Sequence, residues 1–277
     1  MNKKDITIRT ILYIFLSIVA VIFIFPFLWA FISSFKGEKE LLAIPLKFFP
    51  TKWHFKEFFN FWNYGDLNFT RYYINSIIIT IGSAALAAIL SAMSGYGFAK
   101  YRFKGNNFLF IMILSTLMIP FTAIIIPLFL LVTRMGLGNT YPGIILPMSL
   151  NAFGVFLVRQ FMYSVPDEII ESARIDGAGE FKIFFTIALP LIRVPLISFI
   201  IIQVLNVWNE LLWPLIISTS NNMRTVPQAV ALFAGTYEIN YIGQLTSSTF
   251  SSIPTLILYI FLTRYFIKGV SLTGLKE

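Results

Sequence analysis

Glu171-Ser-Ala-Arg-Ile-Asp-Gly-Ala178, continued through Phe184 to Leu189-Pro190, is a charged, glycine-broken stretch between two long apolar runs. The residues just before it read as a helix start. Ser164 and Asp167 have the spacing of a capping box, and Pro166 is acceptable in a first turn. The helix that follows presents Ile169, Ile170 and Ala173 on one side, with Asp167, Glu168, Glu171 and Arg174 mainly on the other. Gly177 is free to adopt positive φ and so to end it. A second helix repeats Phe181, Phe184, Phe185 and Ala188 at helical spacing until Pro190 stops it. The pair is either an interfacial hairpin resting on lipid or a surface docked on another protein. In the first case Asp167, Glu168, Glu171, Asp176 and Glu180 would face anionic headgroups, which favours the second.

The surrounding composition decides the solvent. The chain is 57% hydrophobic and 12% charged, against about 25% charged in soluble domains. Most of its surface therefore faces lipid, and the fold class is an all-α integral membrane protein. The net charge of +8 is spread over loops and forms no stripe. That pattern fits a positive-inside bias and anionic headgroups, not nucleic acid. Absence of cysteine excludes disulfides and thiolate metal sites.

Crossing the hydrocarbon core takes about 20 apolar residues. Six segments qualify: 10–33, 72–98, 107–133, 143–162, 194–219 and 251–268. The first follows Lys3, Lys4 and Arg9 and is too long for a cleaved signal, whose apolar core is about 7–15 residues. The short second loop holds Lys100, Arg102 and Lys104 without an acid. This places both termini, and the 163–193 loop, on the cytoplasmic side. Residues 1–277 read as one transmembrane domain with an external loop at about 34–71 and a tail at about 268–277.

Within this frame several local features stand out. Trp53-His-Phe-Lys-Glu-Phe-Phe-Asn-Phe-Trp62 reads as a short amphipathic helix at headgroup level. His54, the single histidine, is a loop residue without companion ligands, so no metal site is expected. Ser83, Ala87, Ser91 and Gly95 form a small-residue stripe for close helix packing. Pro120 and Pro127 are each expected to bend the third span. In the fifth span Gln203, Asn206, Asn209, Glu210 and Trp213 cluster, with 203, 206, 210 and 213 on one helix face. A carboxylate at membrane depth is a functional candidate. Amides beside an aromatic ring suit a sugar, but the cluster could equally join helices or hold a structural partner.

The 171–190 stretch resembles the "EAA" coupling loop of bacterial binding-protein-dependent ABC importer permeases. It takes the form found in the carbohydrate-uptake branch, on the side of the maltose-type smaller permease. Glu171, Ala173, Asp176, Gly177, Ala178, Phe184, Leu189 and Pro190 match, and Ser172 stands where alanine is usual. Gly136-Leu-Gly-Asn-Thr-Tyr-Pro142 and Trp208-Asn-Glu-Leu-Leu-Trp-Pro214 are similar to segments of the same family. The tail Lys268-Gly-Val-Ser-Leu-Thr-Gly-Leu-Lys276 resembles one that reaches into the ATPase dimer, which implies contacts from Thr273, Gly274 and Lys276. Leu275 stands there in place of a smaller residue.

The resemblance implies a type I importer permease with six spans and a cytoplasmic coupling helix pair. Such a chain forms half of a sugar pathway in a bacterial cell membrane and is not itself an enzyme. The implied partners are a second six-span permease, an ABC ATPase dimer and an extracytoplasmic sugar-binding lipoprotein or periplasmic protein. ATP and magnesium belong to the ATPase, and this chain binds no cofactor. No Gly-Lys dipeptide occurs, so a phosphate-cradling Walker loop is absent. A self-sufficient secondary transporter would need internal repeats and intramembrane coupling residues, of which only Glu210 qualifies. An intramembrane enzyme would need a His-Glu-x-x-His motif, a cysteine or a cluster of catalytic acids within the spans, and none of these is present.

Overall fold

The computed structural model describes residues 3–63, 67–233 and 240–274, and among these the regular structure is helical. The chain divides into two compact units, residues 1–70 with 229–254 and residues 71–228 with 255–277.

The first unit begins with the helix Lys3–Ser33. Its apolar run Ile6–Ser33 is long enough to cross a membrane. The chain then folds back through an aromatic cluster. Phe35 is buried, with its ring 4.2 Å from Phe58, 5.3 Å from Phe55 and 5.6 Å from Trp53. The expected amphipathic helix is the short Phe55–Asn60, which turns Phe58 inward and leaves Phe55 and Phe59 exposed. Lys36 is buried as well, and its ammonium donates to the Lys47 carbonyl at 2.6 Å. His54 sits in the loop as expected, its Nδ1 3.2 Å from the Glu57 carboxylate.

The second unit is built, from Arg71 onward, on the helix Phe69–Lys100, unbroken over 32 residues. The small-residue stripe is buried as expected, with Ser83, Ala87 and Ser91 almost inaccessible. Polar ties hold the far end of this helix. Asn75, fully buried, donates to the carbonyls of Asn222 and Arg224 at 2.7 and 2.8 Å and accepts from the Tyr141 hydroxyl at 2.6 Å.

Three of the expected straight spans are broken. Residues 107–133 form two helices, Asn106–Met118 and Phe121–Arg134, bent by 105°. The bend falls at Pro120, whose backbone is extended (ψ 134°) and which has no N–H to continue the ladder. Pro127 lies inside the second helix, which continues unbroken through it. Residues 143–162 are Tyr141–Ser149 and Ala152–Met162, bent by 45°. The break is set by Asn151, whose Oδ1 accepts from the Gly154 amide at 3.0 Å and so starts a new helix.

The fifth expected span, 194–219, is likewise interrupted. The helix Arg193–Trp208 stops, Asn209–Leu211 turn, and Leu212–Ile217 resumes. Among the described residues, two helices could cross a membrane alone, and up to five crossings result if each bent pair counts as one. The sixth expected span, 251–268, lies within the 34-residue helix Tyr241–Gly274.

Candidate functional site

The 163–193 loop has the two expected helices, but their details differ from the sequence reading. The capping box does not form. Ser164 Oγ donates to the Phe161 carbonyl at 2.7 Å, and Pro166 occupies the cap position of the helix Asp167–Ile175. Asp167 is drawn instead to Lys100, at 2.6 Å. Ile170 is buried and Ala173 packs beside it, whereas Ile169 is exposed.

The glycine turn forms as read. Gly177 has φ +81°. Its amide donates to the Arg174 carbonyl at 3.0 Å, and the Ala178 amide donates to the Ala173 carbonyl at 3.0 Å. This crossed pair is the Schellman motif, which satisfies two carbonyls at the helix end and requires the left-handed residue. Ala173 and Ala178 pack against the same core, the apolar contact that accompanies the motif. Glu171, Ser172, Asp176 and Gly177 all face outward.

The second helix is less regular. Glu180–Ile183 is α-helical, but Phe184–Ala188 forms a π-turn before Leu189–Leu191. The extra residue per turn re-aims the side chains. Ile183, Phe184, Ala188 and Ile192 are buried, and the expected face members Phe181 and Phe185 are exposed. Pro190 does not stop the helix, which runs to Leu191 and meets Arg193–Trp208 at 83° across Ile192. Leu189 packs on the core while Pro190 faces outward. The buried residues join Ala92, Tyr96, Val158 and Met162 in one cluster, so the loop's inner face continues the helical bundle.

Two polar clasps, which sequence reasoning missed, fix this arrangement. Lys100, at the end of the long helix, donates to the Val165 carbonyl at 2.5 Å as well as to Asp167. Across the glycine turn, Arg174 Nε meets Glu180 Oε1 at 2.6 Å and Nη2 meets Oε2 at 3.2 Å. Tyr101 also donates to Glu180 and lies under the Arg174 guanidinium. The signal in the sequence was only a lone acid and base six positions apart.

These contacts shift the ionisations. The Lys100 ammonium holds the Asp167 carboxyl below its usual range. Glu180 is lowered by Arg174 first and Tyr101 second. Partial burial, followed by the Glu180 carboxylate, pushes the Tyr101 hydroxyl up to about 12. For carboxyls lowered on folding, the stabilisation is complete above the ordinary value of about 4 and is lost as pH falls through the lowered one. Amide exchange of residues 164–192, corrected for intrinsic rates, is therefore expected to show protection unchanged from pH 7 to about 5 and modestly weakened as pH falls below about 4, since exposed pairs contribute little and the apolar core remains. Protection already fading between pH 7 and 6 would contradict these clasps.

All five candidates of the fifth span line one cavity of about 580 Å³. Their roles differ from those on a single helix face, because the helix ends at Trp208. Gln203 is buried and joins helices. Its Nε2 donates to the Met148 carbonyl at 2.7 Å, and its Oε1 accepts from Asn151 at 2.7 Å. Asn206 and Asn209 are exposed, and Asn209 also donates to the Leu205 carbonyl at 2.8 Å. Trp213 is fully buried and its indole N–H donates to the Gly143 carbonyl at 3.2 Å.

Glu210 Oε1 accepts from the amides of Leu212 and Trp213 at 2.9 and 3.3 Å, which starts the helix Leu212–Ile217. Glu210→Ala removes this acceptor and is expected to lower the melting temperature, by about 1 kcal/mol of stability for a lost cap. Glu210→Gln keeps an acceptor and should melt like the native chain. Equal melting of all three would show that the cap carries no weight. Of the tail residues, Thr273 and Gly274 fall at the end of the helix Tyr241–Gly274, and Lys276 lies outside the described residues.

The chain as a whole is similar to known transport proteins. Residues 84–272 match the family model described as "Binding-protein-dependent transport system inner membrane component". The chain is 39% identical to the arabinooligosaccharides transport system permease protein AraQ of Halalkalibacterium halodurans, covering 99% of each. It is 33% identical to the diacetylchitobiose uptake system permease protein NgcG of Streptomyces coelicolor, covering 91% of this chain and 84% of that one. In fold it is similar to a chain in the crystal structure of a bacterial ABC transporter involved in the import of the acidic polysaccharide alginate. That likeness has a TM-score of 0.79 at 22% identity and covers 96% and 99% of the two chains. The helical bundle, the glycine-turned loop and these matches together place the chain in the family of binding-protein-dependent ABC importer permeases, in its carbohydrate-uptake branch, as a non-catalytic membrane subunit.

Proposed function

We propose that this permease carries an oligosaccharide or glycoside and forms half of the translocation pathway, with a second six-span permease as the other half. A separate ATPase dimer docks on the outer face of the 163–193 loop, and an extracytoplasmic sugar-binding protein delivers the substrate. Both termini and the loop face the cytoplasm, which the purely basic Lys100–Lys104 segment favours. The chain holds no cofactor, and ATP with magnesium stays in the ATPase.

The observation that carries the docking reading is the division of the loop into two faces. One continues the bundle core, while the other exposes Glu171 and Asp176 beside Ile175, Phe181 and Phe185. Apolar side chains among acids suit a protein groove better than a layer of anionic headgroups. The coupling residues are Glu171, Ser172, Ala173, Asp176, Gly177 and Ala178, with Phe184, Leu189 and Pro190 setting the second helix. The tail residues Thr273, Gly274 and Lys276 are proposed as a further ATPase contact.

The substrate path runs through the cavity lined by Gln203, Asn206, Asn209, Glu210 and Trp213. Its volume lies within the range of small-molecule sites, and exposed amides can bond sugar hydroxyls. Transport would follow alternating access. ATP binding closes the ATPase dimer, the loop moves as a rigid body, and the two permeases rock.

The test is gentle extraction of the tagged chain from native membranes, followed by mass spectrometry and reconstituted uptake of labelled oligosaccharides. Recovery of a second permease and a Walker-type ATPase, with ATP-dependent uptake, is expected. Uptake by this chain alone in liposomes would sink the proposal.

A further inference from the structure

A second cavity, of about 650 Å³, opens beside the start of the helix Asp167–Ile175. Lys100, Arg102, Asn106, Arg159 and Tyr163 line it, with Asp167 and Glu168 on the helix side. Arg159 is unusual here. It is only 9% exposed, and its guanidinium lies 3.8 Å from the Phe110 ring centre and 5.2 Å from that of Tyr163. Its hydrogen bonds go to neutral partners, Asn107 Oδ1 at 3.0 Å and the Phe98 carbonyl at 3.4 Å.

Among the described residues no carboxylate pairs with Arg159 or with Arg102. Asp167 pairs with Lys100 and also feels Arg102, so the cavity wall carries three cations, Lys100, Arg102 and Arg159, against two acids, Asp167 and Glu168. A buried guanidinium with no counter-charge is costly unless an anion joins it. Its two bonds, to Asn107 and the Phe98 carbonyl, leave three of the five N–H donors of Arg159 for such a ligand.

The chemistry narrows the anion. Guanidinium pairs match the tetrahedral oxygens of phosphate, and the Tyr163 hydroxyl on the cavity wall adds a neutral donor. The site lies at the end of the long helix Phe69–Lys100 of a membrane-embedded permease, where basic pockets between helices meet headgroups. We infer that this cavity binds a phosphate-bearing anion, either the phosphodiester of an anionic phospholipid or free phosphate. The ligand would join the helix Ala152–Met162 to the 101–106 segment beside the loop, so its occupancy would bear on how firmly the loop is held. The inference rests on family membership and not on the substrate or the docking reading.

The test uses the whole importer, delipidated in a neutral detergent, with binding read by native mass spectrometry. The probes are dioctanoyl phosphatidylglycerol, inorganic phosphate and, as zwitterionic control, dioctanoyl phosphatidylcholine. Phosphatidylglycerol is expected to bind saturably and more tightly than the control. Arg102→Gln and Arg159→Gln should each weaken it about tenfold, the scale of one charge-assisted contact. Arg102 is exposed, so its variant remains informative if the Arg159 variant fails to fold. Competition by millimolar inorganic phosphate would assign the free anion as ligand, and its failure to compete would assign the lipid. Equal phosphatidylglycerol binding by the native importer and the Arg102 variant would overturn the site.

Discussion

Gly177→Val is expected to leave the chain inserted in the membrane while abolishing most ATP-dependent uptake. The reason is backbone conformation and not space. Gly177 has φ +81°, and a Cβ placed there would meet nothing within 4 Å. A β-branched residue held in the left-handed region costs of order 1–3 kcal/mol, comparable to the stability of one exposed turn. The chain would escape by surrendering the Schellman bonds from Gly177 and Ala178. That would swing Glu180 away from Arg174 and change the outline the loop offers to the ATPase. Gly177→Asn is the control, because asparagine tolerates positive φ. It should retain most uptake and ATPase co-purification. Wild-type transport by the valine variant would remove the turn from the coupling surface.

Gly143→Ala is expected to act on folding itself. An added methyl would sit 2.0 Å from the Leu137 carbonyl oxygen, which is backbone and cannot swing aside. The Gly136–Pro142 turn that brings this carbonyl close is fixed on several sides. Thr140 Oγ1 donates to Leu137 and accepts from the Gly143 amide, and Asn139 Oδ1 accepts from the amides of Thr219 and Ser220. The Gly143 carbonyl in turn receives the buried Trp213 indole. Overpacking of this kind costs about 1–3 kcal/mol or more. The expected result is a sharply reduced yield of folded protein and a lower melting temperature in detergent. Gly138→Ala, whose methyl would lie 3.3 Å from the Thr133 methyl and near no backbone atom, should be milder. Native melting of Gly143→Ala would refute the close approach.

Local chemistry was legible in the sequence, and long-range competition was not. Gly177 was read correctly because a glycine after an amphipathic helix has one dominant use. The small-residue stripe was read correctly because its four-residue period places one face against a neighbour. The Ser164 capping box failed because Lys100, 67 positions away, claims Asp167, and no local pattern announces that. The face of the second loop helix was misassigned because the π-turn at Phe184–Ala188 adds a residue to the period. The interruption at Asn209–Leu211 escaped notice because the run is apolar and the breaker is a side chain, Glu210, bonding amides just ahead of it. The cavity residues were gathered correctly although the helix assumed for them ends early, since the returning chain still brings Glu210 and Trp213 to the same space.

The helix Phe69–Lys100 is anchored by polar bonds at both ends, Lys100 to the loop and Asn75 to the 222–224 segment. Its 32 residues span about 48 Å at 1.5 Å per residue. Mechanically this is a strut pinned at two joints. The two joints, Asn75 and Lys100, lie about 38 Å apart along it, so a tilt of about 5° imposed at one displaces the other by roughly 3 Å. Nothing along the strut has to unfold or change register for the far joint to move, so both joints answer one push together.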